Sequence, residues 1–233
     1  MTKRIAIVPA RGGSKRIPRK NIREFAGKPM ITYALETAQK SGLFQKIHVS
    51  TEDTEITEIV KSYGLEIDFN RPSFLSDDVT PIMPVLKYVL EKYQSIGEFY
   101  DEVCLLMACN PLIEPKDLIS ASEKFHNHFS ASPVLAVTEY PVPIEWAYYM
   151  DEHSSQLIPL NKGMFAISTG DLVAKYFDAG AFSIWPPSLI LSSTGAGSDD
   201  KFIGYKLPKS KCIDIDDEED WRIAEALYLA HGR

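Results

Sequence analysis

Five cationic side chains fall within ten residues near the amino end: Arg11, Lys15, Arg16, Arg19 and Lys20. They stand out because the chain as a whole is acidic, with 25 basic and 32 acidic residues and a net charge of −7. A neutral ligand gains little from so much positive charge in one loop, whereas a triphosphate needs it. Gly12 and Gly13 lie inside the cluster, where their backbone amides can form a small anion nest, and Ser14 adds a hydroxyl donor. Arg11 offers a planar fork to phosphate oxygens, and Lys15 and Lys20 offer point charges. The competing reading is a solvated basic turn, and Arg16 and Arg19 are read that way, facing solvent. Position favours a ligand, because the loop directly follows the buried-type run Ile5-Ala6-Ile7-Val8-Pro9-Ala10. Neither G-x-x-x-x-G-K-[ST] nor G-x-G-x-x-G is present, so the nest is not a P-loop and an ATPase of that class is disfavoured.

A second constellation lies at the other end of the chain. Asp214-Ile215-Asp216 precedes Asp217-Glu218-Glu219-Asp220. On an extended segment Asp214 and Asp216 share a face, roughly 6.5–7 Å apart, where two carboxylates can share one Mg²⁺ directly or through its waters. The plainer explanation makes them part of an acidic helix entry, as the acids from Asp217 to Asp220 are, where negative charge meets the helix dipole. The phosphate-type loop elsewhere tips the balance toward a metal. A third candidate is Arg71, fixed by Pro72 after a strand, which can reach a base or a phosphate unless Asp77 or Asp78 holds it. His48 reads as a core or surface residue. His126, His128, His153 and His231 show no matched partner, and no Ser/His/Asp or Cys/His pair emerges.

The elements between these groups must carry them to one place. Apolar, β-branched runs at 4–9, 47–51, 65–69, 103–107 and 133–138 read as strands. Helices are expected at 29–41, with Pro29 in the first turn and Gly42 beyond the end, and at 54–63, with Asp53 as N-cap and Gly64 as stop. Further helices are expected at 84–96, at 115–129 after a cap near Glu114, and at 221–230. Alternation of this kind builds a parallel sheet with helices on both faces, and ligands bind beyond the carboxyl ends of its strands. The basic loop leaves the first strand at that rim.

Alternation fails from residue 139 to about 170. Pro141, Pro143 and Pro159, with Trp146, Tyr148 and Tyr149, suggest an inserted arm that makes a subunit contact or a lid, or else a hairpin covering the sheet edge. Residues 191–198 read as a flexible loop. With 233 residues, one domain (1–233) with that excursion is expected. The overall acidity argues against nucleic acid as a partner. Three cysteines, Cys104, Cys109 and Cys212, lack framework spacing and suggest reduced thiols in a cytoplasm. The first apolar run is too short for a signal peptide or a membrane span.

Taken together, Ile7-Val8-Pro9-Ala10-Arg11-Gly12-Gly13-Ser14-Lys15, Lys20-Asn21 and Gly27-Lys28-Pro29-Met30-Ile31 resemble the opening of the cytidylyltransferases that activate nonulosonic acids. The likeness extends to Val49-Ser50-Thr51-Glu52-Asp53, Arg71-Pro72, Leu75-Ser76-Asp77-Asp78 and Asp214-Ile215-Asp216, nearly the whole chain. The runs from Val137 to Ile144 and Asp178-Ala179-Gly180 are most similar to the pseudaminic acid branch of that family. The resemblance implies a Rossmann-like three-layer αβα sandwich with a mostly parallel sheet, of the nucleotide-diphospho-sugar transferase type. It implies that CTP and a nonulosonic acid give a CMP-sugar and pyrophosphate, for surface glycan or flagellin glycosylation. It implies nucleotide binding by Ala10, Arg11, Gly12, Gly13, Ser14, Lys15, Lys20, Asn21, Arg71 and Asp77. Catalysis would fall to Arg11, Lys20, Asp214 and Asp216, with Mg²⁺ on the two aspartates and a homodimer as the assembly.

The sugar half departs from the pattern. Where the sialic acid enzymes carry Gln-Pro-Thr-Ser-Pro, this chain has Met107-Ala108-Cys109-Asn110-Pro111, and Met107 cannot donate an amide hydrogen bond. Ala181 replaces a Gln after Asp-Ala-Gly, and Ser168-Thr169-Gly170 stands where an Arg and a Gln are usual. Legionaminic, sialic or a shorter ulosonic acid are therefore rival acceptors. A nucleotide-binding regulator without catalysis is the rival of a different class.

Overall fold

A computed structural model describes residues 2–128, 131–197 and 200–230. His231 and the carboxyl end of the helix expected to reach Phe129 lie outside them, as does Ser198 at the end of the expected loop. The strands are β1 (Arg4–Pro9), β2 (Glu24–Phe25), β3 (Lys28–Pro29), β4 (Lys46–Ser50), β5 (Glu102–Leu106), β6 (Val134–Glu139), β7 (Tyr148–Met150), β8 (Leu157–Pro159), β9 (Tyr176–Trp185) and β10 (Ile203–Lys206). The α-helices are α1 (Ile31–Ser41), α2 (Thr54–Ser62), α3 (Ile82–Ser95), α4 (Pro115–Asn127), α5 (Pro187–Leu191) and α6 (Glu218–Ala230).

Six strands form one sheet in the order β10-β6-β9-β5-β1-β4. β1 shows why the layers are three. Its residues alternate between faces, so Ala6 and Val8 enter a cluster with residues of α1, α2 and α4, while Ile5 and Ile7 enter another with residues of α3 and α5. Local signals hold where expected. Asp53 caps α2 by accepting from the amides of Glu55 and Ile56, Glu114 and Asp117 form a reciprocal capping box on α4, and Gly42 closes α1 in the left-handed region at φ 63°.

Two expectations are corrected. Residues 65–69 do not form a strand. Their side chains dock instead: Leu65 and Ile67 pack on the first cluster, and the Asp68 carboxylate accepts from the Tyr93 hydroxyl at 2.5 Å. The sheet is mostly parallel, as expected, with β9 alone among its strands running antiparallel, between β5 and β6. Pro29 belongs to β3, and α1 starts at Ile31.

Beyond β6 the chain leaves the sheet and returns in β9. The intervening arm carries the β7–β8 hairpin, whose Tyr149 and Ile158 are paired and exposed. Among the described residues no helix is long and apolar enough to cross a membrane.

Candidate active site

Each half of the site is set by a buried isoleucine beside a charged residue. Ile17 anchors the basic loop and Ile215 anchors the segment between Asp214 and Asp216. Both enter a third cluster with Phe25, Met30, Tyr33, Trp221 and Ala224. Phe25 meets Tyr33 and Trp221 edge-on, each at 5.4 Å between centroids. The Arg23 guanidinium lies 4.6 Å over the Trp221 ring and pairs with Glu218 at 2.5 Å. This apolar knot brings the two ends of the chain together.

The consequence is direct contact between the two constellations. Lys20 Nζ donates to the Ile215 carbonyl at 2.5 Å and stands 3.9 Å from Asp216 Oδ1. Arg16 Nη2 lies 2.7 Å from the same oxygen. Arg11, Ser14, Lys15, Lys20, Asn21, Arg71, Asp77 and Asp216 line one open cleft of about 320 Å³, together with Arg16, Asp78 and the apolar Leu75, Ile82, Val85 and Met107. It opens at the carboxyl ends of β1 and β5, the rim at which α/β sheets bind ligands. Ala10, Gly12, Gly13 and Asp214 do not line it.

Each wall has its own support. Asn21 Nδ2 donates to the Arg11 carbonyl at 2.8 Å, and its Oδ1 accepts from the Cys109 thiol at 3.2 Å. Arg71 is buried; its Nε donates to Ser50 Oγ at 3.1 Å and its Nη2 to the Ser50 carbonyl at 2.6 Å. Neither Asp77 nor Asp78 holds it. Asp77 Oδ1 accepts from the Val79 and Thr80 amides, and Asp78 takes Arg11 at 2.5 Å and Lys15.

The glycine pair is not an open anion nest. Gly12 donates its amide to Glu52 Oε1 at 2.8 Å, and the other Glu52 oxygen is buried without a partner. Gly12 is required for space: a Cβ there would sit 2.1 Å from Asp53 Oδ2 and 3.0 Å from Arg19 Nη1. Arg19, expected to face solvent, instead pairs with Asp53 and Glu55, each at 2.5 Å, and adopts φ 57°. Arg16 does face solvent, its side chain 70% exposed, while its Nη2 reaches Asp216. His126, expected to lack a partner, lies 2.8 Å from the buried Glu102 carboxylate. His48 is a core residue on the Tyr93 hydroxyl, and burial pushes its pKa down to about 3.

Asp214 sits beside Gly180, whose φ is +60° and whose carbonyl accepts from Asn110 at 3.1 Å. Enclosure by the surrounding protein, then the charge of Asp216, raises the pKa of the Asp214 carboxyl. Asp214 and Asp216 repel each other, with Asp220 adding to the negative field at Asp214, and such a carboxylate pair suits Mg²⁺, which takes one or two protein carboxylates and completes its shell with phosphate oxygens and water. No group of three or more His, Cys, Asp or Glu side chains able to hold a metal occurs among the described residues. The pair therefore fits a cation delivered with a phosphate ligand, not one caged by protein.

The partners of Arg16, Glu52 and Arg19 were not legible in the sequence. All three act through partners distant in the chain, and their residue types alone carry no signal of that.

Comparisons with known proteins agree with this geometry. A family model described as Cytidylyltransferase matches residues 5–154. The pseudaminic acid cytidylyltransferase of Campylobacter jejuni is 38% identical over 232 residues, covering 97% of this chain and 96% of that protein. The CMP-N,N'-diacetyllegionaminic acid synthase of Legionella pneumophila is 28% identical, covering 96% of this chain and 95% of its own. Among solved structures, a CMP:2-keto-3-deoxy-manno-octonic acid synthetase complexed with CTP superposes with a TM-score of 0.71 at 15% identity, over the full length of both chains, which is a likeness of fold.

Proposed function

The chain belongs to the cytidylyltransferase family, and we propose that it transfers the CMP moiety of CTP to a nonulosonic acid, pseudaminic acid by preference, with release of pyrophosphate. The observation that carries this reading is the meeting of Lys20 with Asp216 across one cleft that also holds Arg11, Ser14, Asn21 and Arg71. The near full-length similarity to the Campylobacter jejuni enzyme supports pseudaminic acid as the acceptor.

The reaction is an in-line displacement. The anomeric hydroxyl oxygen of the sugar bonds to the α-phosphorus as the bond to pyrophosphate breaks, and the hydroxyl proton is released. Positioning and charge stabilisation carry such a step. Asn21 and Arg71 are fixed from behind by Cys109 and Ser50, so they present their remaining donors without reorganisation. Arg11 and Lys20 meet the charge that builds on the leaving pyrophosphate. Asp214 and Asp216 would hold Mg²⁺, which when bound neutralises charge at the phosphates. Met107 lines the same cleft and would give the acceptor an apolar wall.

The arm supports a homodimer: Tyr149, Met150, Leu157 and Phe165 are all exposed on it. Three free cysteines support a cytoplasmic setting. The deciding experiment is a pyrophosphate-release assay with CTP, Mg²⁺ and a panel of nonulosonic acids. Release is expected with pseudaminic acid above legionaminic, sialic and shorter ulosonic acids. Tight CTP binding without release on any acceptor would overturn the proposal in favour of a regulator.

A further inference from the structure

The cations of the basic loop are already occupied. Arg11 Nη1 reaches Asp78 Oδ1 at 2.5 Å and the Asp77 carbonyl at 2.8 Å, and Lys15 Nζ takes the other Asp78 oxygen. One carboxylate thus spends an oxygen on each of two cations, the pattern a phosphate group would make there. Asp77 beside it cannot play this part, because its carboxylate closes a turn onto the amides of Val79 and Thr80.

The segment bearing Asp78 is built to withdraw. At its start Arg71 donates its amide to the Thr51 carbonyl at 2.8 Å, which ties the segment to the sheet. A second anchor follows in the buried Leu75, and beyond it residues 77–79 are exposed, Val79 to 83%, so little packing resists movement of the turn that carries Asp78. The pairs themselves are partly solvated and break at small cost.

We propose that Asp78 is an internal counter-ion of the phosphate loop: the nucleotide's phosphates must displace its carboxylate from Arg11 and Lys15, so Asp78 sets how much negative charge a ligand must bring. This rests on the nucleotide reading of the cleft. Asp78 opposes binding of phosphate-bearing ligands and is silent toward a ligand without phosphate.

The test is calorimetric titration of wild type and Asp78→Asn with CTP, inorganic pyrophosphate and cytidine in one Mg²⁺ buffer. Asp78→Asn is expected to bind CTP and pyrophosphate roughly two- to fivefold more tightly at low salt, with cytidine affinity unchanged. The gain should shrink as salt rises and screens the pairs. Adding Lys15→Met to Asp78→Asn should remove most of it. Asp78→Ser, with melting curves of both variants, covers the case of a misfolded Asn variant. CTP affinity that is unchanged or weaker in both folded variants, while wild type binds CTP, overturns the role of Asp78 and leaves the nucleotide reading standing. Wild type that fails to bind CTP at all overturns both. An equal gain for cytidine would make the effect a general loosening of the cleft and also overturn the proposal.

Discussion

Gly12→Ala tests how the phosphate loop is held. The new methyl would lie 2.1 Å from Asp53 Oδ2, far inside contact distance, and 2.9 Å from Asp53 Cγ. Asp53 cannot yield freely. Its Oδ1 caps α2 through the amides of Glu55 and Ile56, each at 3.0 Å, and its Oδ2 takes Arg19 at 2.5 Å. Rotation away from the methyl loses both the cap, worth about 1 kcal/mol, and the ion pair, worth up to about 1 kcal/mol at this exposure. Arg19 is held in the left-handed region at φ 57° by these same contacts, so releasing it loosens the loop that ends in Lys20 and Asn21. The expected cost is about 2 kcal/mol in all, a drop of about 4–8 °C in melting temperature for a chain of this size. Acid titration supplies an independent signature. The Arg19 guanidinium holds the Asp53 pKa down to about 2, below the ordinary value of about 3.9. A depressed carboxylate stabilises the fold above the unfolded value, and that contribution is lost as pH falls toward the folded value. The melting gap between wild type and Gly12→Ala should therefore be widest near neutrality and narrow from about pH 4 to about pH 2. The assay is thermal melting across that range with a CTP titration alongside, where KM for CTP rises. A variant that melts with wild type at neutral pH would refute this account of the loop.

Three further outcomes follow from the same geometry. Asp216→Asn should cut pyrophosphate release about a hundredfold or more while melting normally, because the cleft loses the carboxylate that faces Lys20 and Arg16; near-normal turnover in Mg²⁺ would sink the metal assignment. Met107→Gln adds an amide donor to the cleft and should raise kcat/KM for a hydroxyl-rich acceptor relative to pseudaminic acid by roughly three- to tenfold, read from paired progress curves; an unchanged ratio would place the acceptor elsewhere. Tyr149→Asp with Ile158→Asp charges a cross-strand pair on the arm and should convert a dimer to a monomer in light scattering; equal masses for variant and wild type would remove the arm from the interface.

Short-range features were legible without coordinates. The Asp53 cap, the Glu114 cap, the left-handed Gly42 and the continuous burial of β1 each depend on residues within a few positions of one another. The strand expected at 65–69 failed because an apolar run says nothing about whether its backbone finds a neighbour. β9 was missed for a related reason. The chain reaches it only after the arm, and its place between β5 and β6 reflects packing with strands far earlier in sequence.

The sequence by itself determined the chemistry available: a cationic loop after a buried strand, a pair of carboxylates near the carboxyl end, and an apolar Met107 where an amide was expected. Tertiary structure alone decided who meets whom. Lys20 and Ile215 are 195 residues apart, Arg16 and Asp216 are 200 apart, and Gly12 and Glu52 are 40 apart. Charge and residue type are local properties of a chain. Which carboxylate neutralises which cation depends on where buried groups such as Ile17, Ile215 and Phe25 draw the backbone once apolar surface leaves water.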